Sequence, residues 1–366
     1  MKKALTHILI ALVFSMTSFA SSANEHGKES HDEKEFDVSE MIMHHVKDAH
    51  EWHLWGPEHG GTAIYLPVIL KTEEGIQTFS SSHLYHGELI HDGENHYYKG
   101  VGPAEGFGMY HEKIYELNEH GALHFEDGHV HGNTKPFDFS ITKNVTSLFI
   151  GSFLVLIIML SCARFYKTNG AVAPKGIAKF LEPIILFVQD DIAKANINEK
   201  KYKKFVPFLL TVFFFIWINN LLGMIPIFPG SANLTGNISV TFFLAALTLI
   251  IILVNGNKNY WSHIFAPPGV PKLLLPIMIP IEIVGIFTKP FALMIRLFAN
   301  ITAGHIIILA LISIIFINKN VAWGALSVPM ALFISILELL VAALQAYLFA
   351  MLSALFIGAA VEEAHH

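Results

Sequence analysis

Three charges stand in a stretch otherwise fit for lipid. Across residues 276–317 the only formal charges are Glu282, Lys289 and Arg296. A guanidinium does not lose its proton in a protein, so Arg296 is a permanent cation in apolar surroundings. Such a group is costly inside a bilayer and normally faces protein or a water-filled cavity, with a partner for its charge. Two plainer readings compete: Arg296 snorkels to an interface, or pairs with another helix and does nothing more. Snorkelling is disfavoured by the roughly 20 apolar-rich residues on either side. Glu282, Lys289 and Arg296 are seven apart, a spacing that drifts only about 20° per step on a helix and keeps them on one face. Glu282 either lines a polar path or neutralises Lys289 as a structural pair, and both readings stand. Asn300, four past Arg296, hydrogen-bonds beside it or tightens packing. His305, nine past Arg296, falls near the opposite face of a regular helix. A second apolar stretch carries Glu338, with Gln345 seven residues later on the same face. An imidazole beside a carboxylate can relay a proton; a satisfied buried pair is the plainer alternative.

The run Arg296-Leu297-Phe298-Ala299-Asn300, followed by Ala303-Gly304-His305, resembles the signature of subunit a of the F-type ATP synthase membrane sector. The Glu338-to-Gln345 spacing resembles that family's last helix, which carries an ionisable residue seven positions before a glutamine. The resemblance covers residues 137–358 and leaves out the first third of the chain. It implies rotary proton transport through two half-channels that do not meet, beside a ring of small c subunits. Arg296 is then the essential charge facing the ring carboxylate. A cation beside the path favours the ionised carboxylate, and arginine stays charged in a dry site where lysine can deprotonate. By the same resemblance His305, Glu338, Gln345, Asn300 and Glu282 form the proton pathway. His305 and Glu338 meet in the outer half if their helices run antiparallel, Gln345 approaches Arg296, and Glu282 lines the inner half. The better-known bacterial pattern has Glu and His exchanged at positions 305 and 338; both groups are kept here. The implied partners are the c-ring, the peripheral stalk subunit b, the rest of the complex and the lipid bilayer. No cofactor, metal or nucleic acid is implied, and the ATP chemistry belongs to other subunits.

The elements that position these residues follow from composition. The 366 residues are 53% hydrophobic and only 15% charged, where soluble proteins carry about 25% charged residues. The net charge of −6 shows no basic stripe for nucleic acid. The lone Cys162 excludes an internal disulfide and a cysteine-rich zinc site. Residues 1–23 read as a signal peptide, with Lys2 and Lys3 before a short apolar core. Residues 24–138 form a polar extension holding sixteen of the 21 histidines. Its start, to about residue 53, has helical spacing; residues 62–70 read as a strand, and glycines mark hairpins beyond. His44 and His45, His83 and His86, and His129 and His131 are candidate metal pairs, against a plainer solvated surface.

Residues 139–366 form the membrane domain. Residues 144–163 make one uncharged span, followed by nine Lys or Arg between 164 and 204. The positive-inside rule puts that loop in the cytoplasm and the extension in the periplasm. Residues 176–192 have the pattern of an amphipathic surface helix. Residues 205–254 hold no formal charge and split at Gly223, Pro226, Pro229 and Gly230 into two spans. The last two helices, 280–317 and 329–360, exceed the about 30 Å of a perpendicular crossing.

The expected fold is an all-α polytopic membrane protein. It has about five membrane-embedded helices and one amphipathic surface helix, the last two spans being long and strongly tilted. A small α+β or β-rich extramembrane domain precedes them. The expected location is the bacterial cell inner membrane, with the C-terminus cytoplasmic. The rival function, a metal-ion transporter fed by a His-rich external domain, requires clustered His, Asp or Cys within the spans, and only His305 and the distant, lone Cys162 are found there.

Overall fold

The computed structural model describes residues 42, 46–55, 61–93, 95–126, 128–170, 172–225, 228–266 and 271–363. The expected signal segment and the His44–His45 pair lie outside these residues. Where helical spacing was expected as far as residue 53, Ile42 and Val46 are helical, but β1 (Glu51–Trp55) replaces the end of that helix. Trp52 and Glu51, neighbours on opposite faces, are both buried, so β1 is covered on both sides at this point. The single strand expected over 62–70 breaks at Leu66 into β2 (Thr62–Tyr65), paired with β1, and β3 (Pro67–Thr72).

The extension is a set of small antiparallel sheets. β3 pairs with β4 (Gly75–Ser80) and with β11 (Phe137–Asp138). A four-stranded meander runs through β5 (Glu88–Asp92), β6 (Asn95–Lys99), β7 (Phe107–Tyr110) and β8 (Lys113–Glu116). The short pair β9 (Phe125–Glu126) and β10 (His129–Val130) completes it. Val68, Leu70, Leu84, Phe107, Met109 and Ile114 form its core.

Among the described residues five helices are long and apolar enough to cross a membrane. In hydrocarbon every backbone polar group must be satisfied within the segment, so these apolar runs have little alternative to the helix. α1 (Lys143–Asn169) starts at Thr142, whose side chain accepts from the Val145 amide at 3.4 Å. α2 (Ile177–Phe187), the expected surface helix, continues into a wide π-type turn over Val188–Lys194. α3 (Tyr202–Met224) and α4 (Ile238–Asn255) are the two spans expected within the uncharged run. α5 (Lys258–Phe265), a short helix, was not read from the sequence. α6 (Leu275–Ile317) and α7 (Gly324–Val361) are unbroken at 43 and 38 residues, with Pro280, Pro290 and Pro329 inside them. At 1.5 Å per residue these measure about 64 and 57 Å, so they stay within a bilayer only when strongly inclined.

The ends of the bundle are fixed by specific bonds. Trp52 of the extension donates to Ser231 Oγ in the α3–α4 loop at 3.2 Å and packs edge-on against Phe228. At the other end Lys201 donates to the Val361 carbonyl at 3.1 Å and pairs with Glu363 at 2.8 Å. The end carrying the sheets is called the extension end below, and the other the basic end.

Candidate functional site

α6 positions most of the chemistry. Arg296 is its midpoint, twenty-one residues from each end. Leu293, Met294, Leu297 and Ile301 are buried on the packed side of the helix. Arg296 lies on an uncovered side with Ala292, Ala299, Asn300 and Ala303, all exposed. Among the described residues Arg296 has no hydrogen-bond or ion-pair partner, and Gln345, buried on α7, forms no hydrogen bond to it. The small residues around Arg296 leave a smooth strip on which another helix can approach closely.

His305 faces the other way, toward α7. Its Nδ1 lies 3.4 Å from Glu338 Oε1, the pairing expected of antiparallel α6 and α7. Glycine makes this possible, because a methyl group at Gly304 would sit 2.9 Å from Glu338 Oε1. Glu338 is 6% exposed, and its Oε1 has no aligned hydrogen-bond partner among the described residues. His305 also borders Gly223 of α3: a methyl group there would meet the Ala232 carbonyl at 3.1 Å and His305 Nε2 at 3.9 Å. The α3–α4 loop thus folds into the extension end of the bundle beside His305. It buries Asn233 and Thr235; Thr235 Oγ1 donates to Asn220 Oδ1, and Asn220 Nδ2 to the Ala342 carbonyl at 3.5 Å. The sequence reading passed over Asn219, Asn220, Asn233 and Thr235. The signal was available, since two adjacent amides in an uncharged span need buried partners.

Toward the basic end, Glu282 and Lys289 line one cavity of about 250 Å³ with Tyr260, His263, Ala359 and Glu362. No ion pair joins Glu282 to Lys289 among the described residues. The Lys289 ammonium instead stands 5.8 Å from the centre of the Phe356 ring. Burial, and then the Glu282 charge, raise the Tyr260 phenol above its ordinary pKa. Tyr260 and His263 were missed because α5 was missed. The bundle therefore holds two separate polar regions, at opposite ends, with Arg296 at the middle of the helix that borders both.

Metal chemistry gains nothing from the geometry. Among the described residues no three His, Cys, Asp or Glu side chains converge as a metal ion would require. His86 instead bonds Tyr65 at 2.8 Å, and His131 pairs with Glu126 at 3.6 Å.

The family described as ATP synthase A chain matches residues 145–358. The chain belongs to the ATP synthase subunit a family. ATP synthase subunit a of Chloroherpeton thalassium is 43% identical over 258 residues, which cover 69% of this chain and 74% of that protein. The subunit a of Chlorobium phaeobacteroides is 48% identical over 237 residues, 63% of this chain and 68% of its own. That of Myxococcus xanthus is 45% identical over 235 residues, 63% of this chain and 75% of its own. Residues 41–139 match a domain of unknown function. Family membership and five apolar spans make this a multi-pass membrane protein.

Proposed function

We propose that this chain is the proton-conducting stator subunit of a rotary ATP synthase, coupling proton flow to rotation of a c-ring and so to ATP synthesis. The observation that carries the reading is Arg296: a permanent cation at the middle of α6, on an uncovered strip, without a partner among the described residues. A charge so placed is stable only against a complementary group from outside the chain. The c-ring carboxylate is that group. Arg296 holds it ionised as it passes, and the proton leaves toward one polar region while another arrives from the other.

The region at the extension end, with His305, Glu338, Asn220 and Thr235, is the outer half-channel. The cavity of Glu282, Lys289, Tyr260 and His263 is the inner one. Gln345 and Asn300 lie on α7 and α6 near the passage between the outer region and Arg296, and position water or the guanidinium there. Arg296 also blocks a direct proton leak between the halves, because a fixed cation repels a hydrated proton. The basic end faces the cytoplasm and the extension the periplasm of a bacterial inner membrane, as the lysines of the 164–204 segment favour. The C-terminus is then cytoplasmic. The peripheral stalk subunit b anchors the chain, and ATP is made on the catalytic head.

Extraction in a mild detergent, with an affinity tag on this chain, tests the assignment. The reading expects a c-ring, stalk subunits and ATPase activity to co-purify. Recovery of the assembled chain without a ring would overturn it.

A further inference from the structure

Ionisable groups at the extension end come almost wholly from the extension. Residues 205–254 carry no formal charge, and the turn between α6 and α7 contributes only Lys319. A proton approaching His305 and Glu338 from that end meets the extension's carboxylates first.

His50 lies at the centre of those groups. It is 3% exposed. Its Nε2 is 3.1 Å from Asp138 Oδ2, and its Nδ1 is 3.9 Å from Glu112 Oε2, beyond hydrogen-bond reach. Nδ1 is buried with no hydrogen-bond partner among the described residues, so one ring nitrogen points toward a carboxylate it does not bond. Tyr85 donates to Glu112 at 2.6 Å. Glu112 and His111 form the two-residue tip of the β7–β8 hairpin, with the positive φ values of 63° and 47° that so tight a hairpin turn favours. The Asp138 side chain keeps 28% of its exposure, so the cluster opens to water on that side.

The charges continue into the bundle. Asp48 accepts from Thr142 Oγ1 at 2.8 Å and from the Asn144 amide at 3.0 Å, at the first turn of α1. Lys143 is within electrostatic range of Asp48, Glu51 and Glu112 in the extension and of His305 in α6. Below it α1 buries Asn144, Ser147 and Gly151 on one face, with Gly151 against the Asn219 side chain. Six buried side-chain atoms lack a hydrogen-bond partner among the described residues, and five of them belong to His50, Thr146, Asn219, Asn233 and Glu338. All five lie in the half of the molecule toward the extension. Buried polar atoms of this kind are ordinarily met by water.

We propose that His50, Asp138 and Glu112 form a proton-collecting site which feeds the His305–Glu338 pair along the polar seam between α1 and α3. The site rests on the proton-conducting reading above. In each transfer the imidazolium, protonated on both nitrogens, releases its Nδ1 proton through water toward Glu112 and is left with a proton on Nε2; exchange to the other tautomer through water frees Nε2, which then takes up the next proton from the Asp138 side. The site thereby returns to its starting charge. The groups around His50 are Asp138 of β11, Glu112 of the hairpin, Tyr85, the adjacent Glu51, and Asp48 with Lys143 at the start of α1. Burial alone would lower the His50 pKa, but the Asp138 hydrogen bond, the close approach of the Glu112 carboxylate and the charges of both raise it to about 9. The imidazole is therefore loaded in neutral water, where free protons are scarce.

The test is ATP synthesis by the complete complex in vesicles, at fixed electrical potential, with the pH varied on the side that the extension faces. H50Q and E112Q are compared with wild type, each rate normalised to assembled complex. E112Q keeps an acceptor for Tyr85, and decides the matter alone if H50Q does not assemble. The expected result is a loss of about three-fold or more near pH 8.5 and almost none near pH 6, since a proton-focusing site matters where supply limits the rate. E112D should restore most of the alkaline rate. A variant-to-wild-type ratio that is the same at every pH overturns the proposal and leaves the proton-conducting reading intact. Wild-type synthesis that does not respond to protons would instead overturn that reading.

Discussion

Gly304→Ala offers a small perturbation with a calculable effect on the outer relay. The added methyl group would lie 2.9 Å from Glu338 Oε1 and 3.2 Å from Cδ, where ordinary contact begins at 3.4 Å. The carboxylate must retreat by about 0.5 Å, since carbon and oxygen gain nothing from closer approach. Glu338 ends in a flexible carboxylate, so the retreat is achieved by side-chain torsion, at about 1 kcal/mol for a displaced rotamer. It also disturbs the 3.4 Å approach to His305. If the rate-limiting transfer passes through this pair, 1 kcal/mol corresponds to about five-fold in rate. Helix propensity acts in the opposite sense, favouring alanine by up to about 1 kcal/mol, so assembly should not suffer. The assay is ATP-driven acidification of vesicles per assembled complex, with ATP hydrolysis measured in parallel. A slowing of about three- to ten-fold is expected. Wild-type pumping by the variant would refute the claim that protons pass between His305 and Glu338.

Three further outcomes follow from the same geometry. His305→Ala and Glu338→Ala should each slow transport, with a combined effect smaller than the product, because groups acting in one step are not independent; effects that multiply cleanly would separate them. Pumping and ATP hydrolysis should persist when sodium is reduced to trace levels, because an imidazole passes protons but serves a hard cation poorly; activity lost without sodium and restored by sodium alone would contradict this. The His50 pKa is raised to about 9, so its stabilisation of the extension is fully present below pH 6.5 and is lost as the pH rises through about 9. Proteolysis of the extension should therefore accelerate between about pH 7 and 10, by a stability loss of roughly 2–3 kcal/mol, and H50Q should flatten that profile. An unchanged wild-type profile would show that His50 is not held charged.

The spans and the charges within them were legible because lipid leaves few alternatives. A run of apolar residues long enough to cross becomes a helix, and Arg296 is conspicuous there for its cost alone. Spacing placed His305 opposite Arg296; its meeting with Glu338 was expected only for antiparallel helices, and the two do meet. The cavity near the basic end was half legible. Glu282 and Lys289 were read as sharing a face, but Tyr260 and His263 were not, because eight-residue α5 is too short to announce itself by periodicity. The fold of the α3–α4 loop into the bundle was also missed. Its glycines and prolines marked a break, and the buried Thr235 bonds Asn220, fifteen residues earlier on α3, a contact that no local pattern encodes. The extension was the least legible part. The helical spacing expected as far as residue 53 failed at its end, where residues 51–55 pair with β2 and tertiary pairing overrides local pattern. The partners of His50 come from residues 62 and 88 positions away.

The central claim is that Arg296, alone on the uncovered strip of α6, couples ring rotation to proton movement. Arg296→Ala in the reconstituted complex tests it most directly. ATP-driven acidification of the vesicles should fall to background while the c-ring and stalk still co-purify with this chain in normal amount. Acidification near the wild-type rate by such an assembled variant would contradict the account.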